Sequence, residues 1–197
     1  MNTKLWFTLV LSSVGFLSGS RAQTVTYSFE PPQLTVSQST PFLNLVPDVA
    51  SGFRASFTAP TGGSFSVTTF SVSPSFSGQS LLDGSGPADT LRVTLNTPIT
   101  DLEVDFALMA GSGHLELQSS TGSITAYAVP STQYGTLVFH SATSFTQFDL
   151  LGFSAANIPS YLAIDNLTMT AVPEPDVVAL LALAALTIAA RRVPRRS

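Results

Sequence analysis

The sequence predicts an all-β chain, an antiparallel two-sheet sandwich with a short apolar helix before it and another after it. Three observations carry this. Apolar and polar residues alternate with period two through many short runs of residues 24–170. Gly- and Pro-containing turn signals separate those runs. Long, mostly apolar stretches occur only near the two ends of the chain.

The first apolar stretch opens the chain. Lys4 supplies a positive start, residues 5–17 are mostly apolar, and Ser20 and Ala22 set small residues at the −3 and −1 positions of a cleavage site. This is the pattern of a secretory signal peptide over residues 1–22, cut between Ala22 and Gln23. It is too short for a comfortable membrane span.

The body then runs over residues 23–171. Val25, Tyr27 and Phe29 alternate with polar residues. Leu91, Val93 and Leu95 do the same, as do Leu102, Val104, Phe106 and Leu108, and then Leu115 and Leu117. Such runs make strands with one face buried. Pro60-Thr61-Gly62-Gly63, Asp83-Gly84-Ser85-Gly86-Pro87, Gly111-Ser112-Gly113 and Thr121-Gly122 mark the turns. Eight to ten strands of this length fill two layers, and a jelly roll is the expected arrangement.

The body has little charge and much Ser, Thr and Gly. Charged residues are 10% of the 197-residue chain, where about 25% is usual. Residues 23–172 hold two arginines, Arg54 and Arg92, against ten acids, a net −8. No basic patch exists to neutralise phosphates, so nucleic acid is excluded as a partner. There is no cysteine, hence no disulfide, thiolate metal site or Cys nucleophile.

The last part has three pieces. Val172-Pro173-Glu174-Pro175 cannot be helix or central strand, because two prolines flank one residue. Residues 177–190 are apolar except Thr187. As a helix they reach about 21 Å, so spanning a bilayer requires local thinning. Arg191, Arg192, Arg195 and Arg196 close the chain and are expected to stay cytoplasmic. This tail, residues 172–197, resembles the PEP-CTERM sorting signal of Gram-negative bacteria. The resemblance implies that Pro173, Glu174 and Pro175 are recognised by exosortase. It also implies an intermediate anchored in the inner membrane and delivery to the cell surface or extracellular matrix, in association with exopolysaccharide or biofilm. A plain C-terminal membrane anchor is the simpler reading of the same residues.

The ends of the body carry a second resemblance. Tyr27-Ser28-Phe29-Glu30 opens it and Ile164-Asp165-Asn166 sits on its last strand. These segments look like the galactose-binding-like jelly rolls of many carbohydrate-binding modules. In such modules acids on the first and last strands share a structural calcium ion, so Glu30, Asp165 and Asn166 are the ligands the resemblance implies. Calcium takes six to eight oxygens, and backbone carbonyls or water would have to complete the shell. The alternative is that Asp165 and Asn166 simply bond to neighbouring backbone.

Catalytic signals are weak. His114 and His140 have no metal-ligand spacing, no Gly-x-Ser-x-Gly elbow occurs, and no Gly-rich loop precedes a helix. Glu103, Asp105 and Glu116 fall, with His114, on the polar side of strands expected to be neighbours. They are read as a solvated face, with a calcium cluster or a glycosidase pair as alternatives. Asp83 to Asp89 lacks the spacing of an EF-hand loop. Trp6, the only Trp, lies in the leader, so a sugar platform must use Tyr27, Tyr127, Tyr134 or Tyr161. The expected function is that of a non-enzymatic surface or matrix protein. A calcium-dependent carbohydrate-binding module is the alternative, and a secreted hydrolase ranks below both.

Overall fold

The computed structural model describes residues 22–30, 42–45, 52–69, 71, 76, 78–83, 90–109 and 111–172. The sorting motif, the apolar stretch 177–190 and the arginines of the tail lie outside them, as does all of the leader except Ala22. Residues Gln23–Val172 form one compact unit, which contains every described strand and the described core.

That unit is all-β and antiparallel, as the alternation predicts. Its ten described strands are β1 (Gln23–Tyr27), β2 (Phe42–Leu45), β3 (Ala55–Thr58), β4 (Phe65–Thr69), β5 (Gln79–Asp83), β6 (Leu91–Leu108), β7 (Gly113–Ser119), β8 (Gly122–Tyr127), β9 (Tyr134–Ser154) and β10 (Leu162–Ala171). Where two separate sheets were expected, the hydrogen-bonded ladder is continuous. Two long strands, β6 and β9, run through both layers and bend between them.

The first half of β6 (92–95) lies between β3 and β9, and its second half (99–108) lies between β10 and β9. The bend is written in its side chains. Leu91, Val93 and Leu95 face inward at odd positions, whereas Leu102, Val104 and Phe106 do so at even ones. β9 makes the same change, from Leu137 and Phe139 to Phe148 and Leu150. Such a change of parity requires an extra residue, and the β6–β9 register shifts around Ile99. Pro98 sits at this corner, where a missing N–H costs no regular ladder bond.

One layer is therefore β4, β5 and β1 against β10, followed by the far half of β6 and the near half of β9. The other is β2, β3, the near half of β6, the far half of β9, β7 and β8. Their inner faces meet in one core. Tyr27 of β1 and Phe29 just beyond it both set ring edges against Phe57 of β3, with centroids 5.9 and 5.8 Å apart. Burial pushes the Tyr27 phenol well above its usual range, against a smaller opposing effect of the Ala55 backbone.

A second, small apolar cluster of Phe76, Ala107 and Ala163, with Leu82 and Tyr134 against it, covers part of the first layer's outer side. β10 also bends. Asp165 pairs with Asp105, but Thr168 pairs with Glu103, so β10 carries an extra residue there. Asn166 takes up the bulge with a φ of 46°, a left-handed conformation that Asn adopts more readily than most residues.

Candidate functional site

The acids read as a solvated face, with a cluster as the alternative, divide between layers. Glu103 and Asp105 lie on the outer side of the β10–β6–β9 layer, whereas Glu116 and His114 lie on β7 in the other layer. β6 and β7 are consecutive but not paired, because β9 lies between them in the sheet order. The alternative of a cross-strand grouping of these four residues is therefore not formed.

Asp105 is instead tied into a neutral polar network. Its Oδ1 accepts hydrogen bonds from Tyr134 Oη (3.0 Å) and Thr136 Oγ1 (2.7 Å), and its Oδ2 accepts from Asn166 Nδ2 (3.2 Å). On the same face, His140 Nδ1 lies 2.5 Å from Asp101 Oδ1. The Thr100 hydroxyl, followed by His140, holds the Asp101 carboxyl below its ordinary range.

The three residues expected to hold calcium are near one another in part. The carboxylates of Glu30 and Asp165 interact electrostatically. Each already accepts a backbone N–H: Gln79 N reaches Glu30 Oε1 at 2.6 Å, and Asn166 N reaches Asp165 Oδ1 at 2.7 Å. The Asn166 side chain turns to Asp105. Asp165 is buried, and burial together with the charges of Glu30 and Asp105 raises its pKa to about 6, against the opposing bond from Asn166 N. Among the described residues, no group of three or more His, Asp or Glu side chains is gathered as a metal site.

A different constellation lies on the outer side of the other layer. Period two sends Leu115 and Leu117 of β7 inward, and His114, Glu116 and Gln118 outward. The register sets His114 directly between Tyr127 of β8 and Phe153 of β9. The three rings form a row across three strands. His114 stacks on Phe153 with centroids 5.1 Å apart and planes at 19°, and meets Tyr127 at 5.5 Å and 50°. His114 is only 8% exposed, because its neighbours cover it, whereas Tyr127 is 74% exposed.

Polar groups continue the face along the strands. The next row is Thr125, Glu116 and Leu151, and the one after is Ser123, Gln118, Asp149 and Arg92. Arg92 holds Asp149 by two parallel bonds, Nε to Oδ1 and Nη2 to Oδ2, each 2.8 Å. These two bonds, more than the simple charge attraction, raise the Arg92 pKa further. Gln118 Nε2 donates to Glu116 Oε2 at 3.3 Å. The turn after β9 borders the row, since Phe153 bridges to Pro159 and Ser154 N donates to Ile158 O.

Of the four tyrosines considered for a sugar platform, Tyr27 is excluded because it is buried in the core. Tyr161 is partly open, and Tyr127 is the most exposed of the four. Sequence reasoning missed its partners, His114 and Phe153, because the row depends on strands that are 13 to 39 residues apart in the chain.

No protein-family model matches the chain. No curated protein matches it either. Among solved structures, the chain is similar to a family 29 carbohydrate-binding module at 15% identity, over 76% of this chain and 93% of that one, with a TM-score of 0.40. It is also similar to a family two carbohydrate esterase from Cellvibrio japonicus, at 12% identity and a TM-score of 0.37, over 79% of this chain and 36% of that one. A third is a Podospora anserina GH26-CBM35 β-(1,4)-mannanase, at 15% identity and a TM-score of 0.39, over 79% of this chain and 29% of that one.

Proposed function

We propose that the folded body binds carbohydrate on the outer face of β8, β7 and β9, and that the chain displays this face at the surface of a Gram-negative bacterium. The observation that carries the binding reading is the ring row. A pyranose offers a flat face of C–H groups and a rim of hydroxyls. Tyr127 supplies an exposed ring for the first, held from one side by His114, which is itself stacked on Phe153. Glu116, Gln118, Asp149 and Arg92 supply fixed acceptors and donors for the second. The net −8 of residues 23–172 favours a neutral saccharide over an acidic one.

The role is binding rather than catalysis. Delivery rests on the sequence of the two ends: a leader cut after Ala22, then recognition of Pro173, Glu174 and Pro175 by exosortase, with the final arginines cytoplasmic in the anchored intermediate. A structural calcium ion near Glu30 and Asp165 is a separate proposal, supported by the like charges gathered there. Its test is a thermal melt with calcium and with chelator; equal midpoints would remove it.

The binding reading is tested by affinity electrophoresis of residues 23–172 through gels containing neutral polysaccharides, together with a glycan array. Retardation by at least one polysaccharide, lost in Tyr127→Ala, is expected. Retardation that Tyr127→Ala leaves intact would place any site elsewhere. The sorting reading is tested by intact mass of the protein from its native host with and without exosortase. Loss of the residues after the Pro-Glu-Pro region only when the enzyme is present is expected.

A further inference from the structure

We infer that β8 is a homotypic pairing edge, at which two copies of this chain join antiparallel about a two-fold axis beside Ile124. β8 ends the strand order, and among the described residues only β7 pairs with it. Its register with β7 runs without a shift from His114↔Tyr127 to Ser119↔Gly122.

The direction of each peptide group follows from one bond. Ala128 N donates to Gly113 O at 3.0 Å, which makes His114↔Tyr127 a non-hydrogen-bonded pair. The alternation then gives Ile124 and Ala126 to the β7 ladder. It turns the N–H and C=O of Ser123 and Thr125 away from β7, toward the open edge. Tyr127 has the same phase, but Gly135 approaches its carbonyl: a Cβ built on Gly135 would lie 2.9 Å from Tyr127 O. The open length is therefore centred on Ser123, Ile124 and Thr125.

This edge differs from β1 and β4 in what it leaves uncovered. The inward side chains of β1 (Val25, Tyr27) and β4 (Phe65, Val67) are buried. On β8 the inward Ile124 remains 37% exposed. The strand also lacks the devices that protect an edge, for Gly122-Ser123-Ile124-Thr125-Ala126-Tyr127 contains no charge, no proline and no bulge.

The occupant that fits is a second β8. Two outward peptide units flank one exposed apolar side chain, a pattern that reads the same in both directions. With the axis at Ile124, Ser123 exchanges both its backbone groups with Thr125 of the other copy. Ile124 meets its own copy in a non-hydrogen-bonded pair, the type with the closest side chains. On a body of net −8, a charge-free strand lets two copies meet without opposing like charges. β1 and β4 are charge-free too, and it is the exposed Ile124 that sets β8 apart from them. The pairing stands whether or not the outer face binds sugar.

The test is sedimentation equilibrium of residues 23–172, with Thr125→Pro and Ile124→Lys as variants. The proline removes an outward N–H and no bond to β7, and the lysine sets like charges opposite one another at the axis. A concentration-dependent dimer is expected for the wild type, and each folded variant should need on the order of tenfold higher concentration to dimerise. Amide exchange gives an independent reading on the wild type alone: the N–H groups of Ser123 and Thr125 should become protected as concentration rises. A wild type that stays monomeric, a dimer equally tight in both folded variants, or no concentration dependence at those two amides would overturn the inference.

Discussion

The imidazole of His114 lies stacked on the ring of Phe153, 5.1 Å between centroids, and sets its other side against Tyr127 at 5.5 Å. One buried ring thus connects a strand in the middle of the layer to a nearly free tyrosine at its edge. The relationship separates what holds the face together from what the face presents.

Tyr127 presents. Tyr127→Ala should leave the melting temperature within a degree or two of wild type, since the ring is largely exposed. Saccharide affinity should fall by roughly tenfold or more, about 1.4 kcal/mol. Tyr127→Phe should retain most of the affinity if stacking is the main contribution. Isothermal titration with the polysaccharide retained in affinity gels reads both.

His114 holds. Its side chain is buried between two rings, so His114→Ala should destabilise the fold by about 1–2 kcal/mol. It should also weaken saccharide binding, because Tyr127 loses its support. Urea unfolding and titration on the same preparation check both effects. Unchanged stability would mean that the row is not packed as described.

Gly113 sets how closely β7 approaches β9. A Cβ there would lie 1.9 Å from the carbonyl oxygen of Phe153, in a backbone that cannot give way locally. Gly113→Ala should therefore cost on the order of 3 kcal/mol and separate the His114–Phe153 stack. Denaturant unfolding, with near-ultraviolet circular dichroism as a probe of the aromatic rings, measures it.

Asp165 makes stability depend on pH. Its pKa is about 6 folded and about 3.9 in an unfolded chain, so the folded state binds the proton more tightly. Stability is greatest with the carboxyl protonated, below about pH 4. It falls as pH rises between the two values and is level, as far as this group is concerned, above them. Asp165→Asn should then raise stability at pH 7.5 by roughly 2 kcal/mol and make little difference at pH 4. Melting curves at the two pH values check this, and an equal gain at both would show that the charge is not responsible.

Local alternation of residues was enough to make this body all-β. Period two in Leu91–Val93–Leu95, Leu102–Val104–Phe106 and Leu115–Leu117 requires half-buried strands, because alternate side chains must leave by opposite faces. The same rule chose which side of β7 carries His114, Glu116 and Gln118. The segments 91–95 and 102–108, read as separate runs, form one strand bent at Pro98, because parity can change within a strand only at a bulge that local sequence does not announce. Strand order was decided by the tertiary structure alone. It placed β9 between β6 and β7, parting Glu103 and Asp105 from Glu116, and it brought Tyr127, His114 and Phe153 into one row. Pairing of strands far apart in the chain depends on how two bent ladders close over a shared core, and no short window of residues contains that information.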